Sequence, residues 1–102
     1  MANQFGTKIK QLREQNNLLQ RHVSSQMEID TPMLSKIERG ERKARKEQVL
    51  LFAKILKAGP EDLLTLWLAD QVLEVVQNEH SALRAVRLAE KEVKNYHKTN
   101  NI

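Results

Sequence analysis

The stretch DTPMLSKIERG, residues 30–40, constrains the fold more than any other part of the sequence. Asp30 is a favourable helix N-cap, and Pro32 is tolerated in a first turn because its missing N–H has no intrahelical partner there. Gly40 is the residue type that most often ends a helix in the left-handed conformation. The stretch therefore predicts a short helix over about residues 31–39.

Apolar spacing divides this short helix into two faces. Leu34 and Ile37 are three residues apart, which places them on one side and predicts that both point inward. The other side is predicted to point largely outward, and it carries Thr31, Pro32, Ser35, Lys36 and Arg39.

Helical signals continue along the rest of the chain. Only three Gly and two Pro occur in 102 residues, which favours helices over a turn-rich β fold. Apolar periodicity predicts further helices over about residues 3–16, 20–27, 46–57, 60–78 and 81–96. We expect an all-α protein with a five-helix domain over 1–68, a helical extension continuous with it over 69–98, and a frayed tail over 99–102.

The first four helices are predicted to share one core. The side chains expected to be buried are Phe5, Ile9, Leu12, Val23, Met27, Leu34, Ile37, Val49, Leu50, Ala53 and Leu56. Ser24 is small enough to let another helix come close. Asn17 suits a left-handed helix end, and Gly59 is expected to end the fourth helix.

The C-terminal third is apolar in a different way. The fifth helix is apolar over more than one face, so it needs partners on two sides. The last helix has a seam with two-heptad spacing, made of Ala82, Val86, Ala89, Val93 and Tyr96. We expect this seam to pack on the fifth helix or on the equivalent helix of a second subunit.

The net charge of +4 is concentrated in one short window. Residues 36–46 hold six basic and two acidic residues, while the rest of the chain holds eleven of each. Residues 60–83 hold five acidic residues and no Lys or Arg. This polarity suggests that one end of the molecule faces a polyanion and the other faces away.

Other classes of protein find little support in the sequence. There is no Cys, and His22, His80 and His97 are far apart without metal-ligand spacing, so we expect no metal site and no cofactor. No glycine-rich phosphate loop or nucleophile motif is present, which argues against an enzyme. The longest apolar run, residues 63–69, is too short to span a bilayer, and a cytoplasmic protein without membrane contact is expected.

Residues 20–40 have the dimensions of a helix-turn-helix. The chain resembles the phage-repressor class of helix-turn-helix regulators, the XRE or Cro/repressor-like family. LSKIERG and the Gln at the start of the second helix carry the resemblance, which covers about residues 5–68.

The resemblance implies a role for each matching position. DNA bases would be read by Thr31, Pro32, Ser35 and Lys36. Phosphates would be bound by Gln20, Arg39, Arg42, Lys43 and Arg45. Arg13 and Glu38 would form a structural ion pair between the first and third helices.

Two positions depart from the family pattern. Glu28 occupies a turn position where the family usually has Gly, which costs roughly 1 kcal/mol if the residue has a positive φ. Pro32 replaces a residue that often makes a polar base contact. This replacement leaves Thr31, Ser35 and Lys36 as the side chains that could make polar contacts with bases.

The function implied is a sequence-specific regulator of transcription, binding duplex DNA as a homodimer on a pseudo-palindrome. Repressor and restriction–modification controller types, both autoregulatory, remain open. The candidate dimer interface comprises Leu66, Trp67, Val72, Leu73, Val76, Val86, Ala89 and Val93. The alternative is a protein-interaction module, or an antitoxin-like protein that binds a partner through its apolar C-terminal helices.

Overall fold

A computed structural model describes the backbone of residues 3–100 and the side chains of residues 3–97. Within that range every regular element is a helix, which confirms the predicted all-α class. The six helices are α1 (Gln4–Gln15), α2 (Gln20–Met27), α3 (Thr31–Glu38), α4 (Lys46–Leu56), α5 (Pro60–Val76) and α6 (Ala82–Asn100). None of these helices combines the length and the hydropathy needed to cross a membrane.

The ends of α3 follow the signals that the sequence contains. The carboxylate of Asp30 accepts a hydrogen bond from the N–H of Met33 at 2.7 Å, as an N-cap does. Gly40 has a φ of 76° and ends the helix. The N–H of Glu41 then donates to the carbonyl of Lys36 at 2.8 Å, which completes a Schellman-type turn.

The chain divides into two compact units, Met1–Asp70 and Gln71–Ile102. The first unit holds the hydrophobic core, and α1 to α4 and the first turns of α5 contribute to it. Its fully buried side chains include Ile9, Val23, Leu34, Ile37, Val49, Phe52, Leu56 and Leu63.

Two predictions about α4 are wrong. Leu50 was expected in the core but is 44 % exposed, whereas Phe52 is fully buried against Phe5, with ring centroids 6.0 Å apart. Gly59 was expected to end the helix, but Lys57 takes the left-handed conformation there, with a φ of 56°. The chain therefore leaves α4 two residues before the glycine.

The start of α1 is held from two sides within the first unit. The carboxylate of Asp70, on α5, accepts hydrogen bonds from the N–H groups of Gln4 and Phe5 at 3.0 and 2.9 Å. Gly6 lies against the C-terminal end of α3, where an added Cβ would meet the carbonyl oxygen of Glu38 at 2.7 Å. A side chain at position 6 would therefore force α1 and α3 apart.

The second unit consists of the end of α5 and α6. Its apolar side chains are largely exposed, among them Val72, Leu73, Val75, Leu83, Leu88, Val93 and Tyr96. α6 continues to Asn100, beyond the predicted end at Tyr96, so residues 99 and 100 of the predicted tail are helical. The last two residues of that tail lie outside the described residues.

Candidate nucleic-acid interface

The turn between α2 and α3 is built from a left-handed residue and a buried hydroxyl. Glu28 has a φ of 58°, and the next residue, Ile29, donates its N–H to the carbonyl of Ser24 at 3.0 Å. The buried hydroxyl of Ser24 is 3.2 Å from that of Thr31, and either can donate. This hydrogen bond fixes the first turn of α3 against α2.

Fewer side chains are fully exposed on the outer face of α3 than the sequence predicts. Pro32 and Lys36 are exposed, and Lys36 has no ion pair among the described residues. Thr31 and Ser35 are partly buried, and their hydroxyls form hydrogen bonds within the protein. Both were predicted to point largely outward, and the structure leaves them less exposed than Pro32 and Lys36.

Arg39 links the end of α3 to the loop that follows. Its guanidinium donates to the carboxylate of Glu41 at 2.7 and 3.3 Å, and also to the hydroxyl of Ser35. The hydrogen bond with Glu41 raises the pKa of Arg39, and it lowers the pKa of Glu41. Both side chains are exposed, so the pair can open when another anion competes for Arg39.

The basic loop, residues 40–45, is held to α5 through Ala44. Ala44 is 1 % exposed, and its carbonyl accepts a hydrogen bond from the indole N–H of Trp67 at 2.8 Å. The flanking Arg42, Lys43 and Arg45 are exposed. The anchor therefore presents these three cations beside the end of α3. Sequence reasoning missed Ala44, and no local pattern marks it.

Arg13 and Glu38 form a buried ion pair behind this face. The Arg13 Nε lies 2.7 Å from the Glu38 Oε2, with exposed side-chain fractions of 10 % and 2 %. Arg13 also donates to the carbonyl of Leu18, and its hydrogen bonds to the carboxylate of Glu38 raise the pKa of Arg13. The pair ties α1 to α3, as the family resemblance implies.

Gln20 joins the same network. Its amide nitrogen donates to the Glu38 Oε1 at 3.0 Å, and the side chain is half-buried. The side chain predicted to bind phosphate therefore supports the carboxylate at the end of α3.

The predicted dimer residues fall into two groups. Leu66 and Trp67 are partly buried and pack against the core of the first unit. The remaining six lie in the second unit. Among them, Val72, Leu73 and Val93 are about half-exposed, at 51 %, 48 % and 55 %.

Within residues 3–97, no cluster of three or more His, Asp or Glu could hold a metal ion. In the same range, no buried side-chain nitrogen or oxygen lacks a hydrogen-bond partner.

A helix-turn-helix whose outer helix is exposed and bordered by cations defines the class of this protein. The chain belongs to the helix-turn-helix domain family, which it matches over residues 4–67. A search of the curated proteins found no match.

One solved structure of this class can be compared directly. The chain is similar to the restriction-modification controller protein C.AhdI from Aeromonas hydrophila, with 27 % sequence identity and a TM-score of 0.54. The similarity covers 58 % of this chain and 89 % of the controller protein.

Proposed function

We propose that this protein is a sequence-specific regulator of transcription that binds duplex DNA. The observation that carries the proposal is the exposed face of α3, with Lys36 at its centre and Arg42 and Lys43 at its border. A helix of this kind fits the major groove, where Lys can donate to guanine O6 and N7. Membership of the helix-turn-helix family supports the same function.

The side chains divide between base reading and phosphate binding. Lys36 and Pro32 are the exposed base readers, with Thr31 and Ser35 as half-exposed neighbours. Arg39, Arg42, Lys43 and Arg45 are placed to bind phosphates. Phosphate contacts set the position of a protein on DNA and supply most of the salt-dependent affinity, while base contacts supply specificity.

The protein acts as a homodimer in this proposal. Val72, Leu73 and Val76 at the end of α5, with the seam of α6, are the surface that a second copy would cover. Two-fold symmetry would place two copies of α3 about 34 Å apart, on successive major grooves of a pseudo-palindrome.

Autoregulation is the simplest mode of action for such a dimer. Its concentration would set the occupancy of its own promoter. The similarity to a restriction-modification controller supports the controller type, and the repressor type fits the same architecture.

The test is selection of a binding site from random duplexes, followed by two substitutions. We expect an approximate inverted repeat. Lys36→Ala should cost about 1–3 kcal/mol and relax base preference, because it removes a base contact. Arg42→Ala should weaken binding to all duplexes equally, because it removes a phosphate contact. It should also make the slope of log affinity against log salt shallower by about one unit.

The contrary result points to the protein-interaction module. If no duplex is selected and neither substitution changes binding to DNA, the helix-turn-helix serves a protein partner through the apolar second unit.

A further inference from the structure

Basic side chains form a row along one face of α6. Arg84, Arg87, Lys91 and Lys94 are separated by three, four and three residues, and such spacings keep side chains on the same side of a helix. All four are exposed. At 1.5 Å per residue the row extends about 15 Å. We call these four residues the basic row.

The basic row lies on the side of α6 opposite to its apolar seam. Each residue advances about 100° around the helix, which places the centre of the row roughly 160° from the centre of the seam. A second copy that covers Ala82, Val86, Ala89 and Val93 therefore leaves the basic row exposed. The two surfaces can act at the same time.

The basic row is poorly neutralised. Lys94 is 3.8 Å from Glu90, an exposed pair of little energetic weight. Arg84, Arg87 and Lys91 have no ion pair among the described side chains. Like charges three and four residues apart repel each other on an isolated helix. A row of this kind is stabilised when an anionic partner lies along it.

We propose that the basic row is a second phosphate-binding surface for DNA, in addition to α3 and the basic loop. This inference rests on the proposed function, which supplies the polyanion. Its contacts would be independent of base sequence and would lengthen the stretch of DNA that the protein protects.

The placement of acidic residues favours DNA over an anionic membrane. A helix that lies in a membrane surface needs its basic residues beside the apolar face, at the level of the headgroups. In α6 the residues on either side of the seam include Glu90 and Glu92, while the basic row points directly away. That arrangement would hold acids against anionic headgroups and leave the cations in water.

The experiment compares two matched triple variants of the full chain. The first, Arg84→Gln/Arg87→Gln/Lys91→Gln, removes three charges and keeps residues that favour helices. The second, Arg84→Lys/Arg87→Lys/Lys91→Arg, keeps all three charges. Binding to the selected duplex is measured between about 50 and 200 mM salt, the range over which phosphate contacts lose affinity. Binding to a random duplex is measured in parallel.

For the neutral variant we expect a slope of log affinity against log salt that is shallower by about 2.7 per bound chain. The loss of affinity should be equal for the selected and the random duplex. It should become larger as flanking base pairs are added to the duplex. The charge-preserving variant should match the wild type. Circular dichroism and light scattering should show unchanged helix content and unchanged mass for both variants.

Two results would overturn the inference. In one, the neutral variant keeps the affinity and salt slope of the wild type on both duplexes. In the other, the wild type binds vesicles of phosphatidylcholine and phosphatidylserine, and only that binding is lost in the neutral variant. Failure of the proposed function is recognised separately, because then the wild type shows no preference for any duplex over a random one.

Discussion

At the scale of single residues, the molecule places charge and strain where they support α3. Glu38 is the clearest case. Its carboxylate is almost fully buried and accepts hydrogen bonds from both Arg13 and Gln20. Removing one member of a buried ion pair leaves an uncompensated charge, which is far more costly than losing both members together.

Glu38→Gln should therefore lower the free energy of unfolding by about 3–5 kcal/mol, because it leaves Arg13 buried without a counter-charge. Urea denaturation followed by circular dichroism measures the change. The double variant Arg13→Met/Glu38→Met should recover most of the loss. Equal instability of the single and double variants would show that the pair has no special role.

Glu28 illustrates strain that the sequence allowed us to foresee. It holds a left-handed conformation where the family usually has Gly, and the structure confirms the positive φ. Glu28→Gly should raise the free energy of unfolding by about 1 kcal/mol, because Gly adopts this conformation without a steric penalty. Lys57→Gly should behave alike, since its φ is also positive.

Gln11→Gly provides the matched control for these two substitutions. Gln11 is exposed in the middle of α1, where Gly should lower stability by about 1 kcal/mol. If Gly lowers stability at all three sites, the left-handed residues carry no strain.

At the scale of the elements, contacts between distant helices decide how α1 and α3 are held. Asp70 makes the contact that spans the most sequence. From α5, its carboxylate accepts hydrogen bonds from the first two N–H groups of α1. Asp70→Ala should cost about 1–2 kcal/mol, as loss of a capping side chain does. Thermal unfolding measures the loss. Glu74→Ala, an exposed acid on the same helix, should leave stability within about 0.5 kcal/mol.

The end of α3 carries a competitor for DNA. Glu41 accepts hydrogen bonds from the guanidinium of Arg39, the group to which the proposed function assigns a phosphate contact. Glu41→Gln should therefore strengthen binding to every duplex and steepen the salt slope by about one unit. Glu47→Gln is the control, because Glu47 lies 3.6 Å from Arg45 in a looser pair. Equal gains from both would indicate a general effect of net charge.

The comparison of sequence with structure is also clearest at this scale. α3 was predicted with its N-terminal residue correct, because the N-cap Asp30 and Pro32 lie at its start. Phe52 was left out of the predicted core in favour of Leu50, although it lies three residues after Val49, on the same face of α4. The role of Asp70 depends on residues more than sixty positions away, and local pattern carries no trace of it. The basic row was hidden because Glu90 and Glu92 cancel part of its charge in any linear sum.

At the scale of the whole molecule, the exposed apolar seam of α6 leads to the predicted dimer. We expect light scattering to give the mass of two chains at micromolar concentration. Val86→Glu/Val93→Glu should reduce this to one chain, since buried unpaired carboxylates are costly. Leu83→Glu/Leu88→Glu is the control, because both residues lie off the seam and are 60 % and 63 % exposed. A wild type of one chain would contradict the dimer.

The carboxylate that Asp70 supplies to α1 also bears on how this protein can be cut and recombined. The family match ends at residue 67, and a fragment cut there would keep the N-cap Asn3 but lose the carboxylate that accepts hydrogen bonds from the first two N–H groups of α1. The first compact unit ends at Asp70, in the middle of α5. Chimeras that exchange helix-turn-helix domains between related proteins should therefore be joined after residue 70.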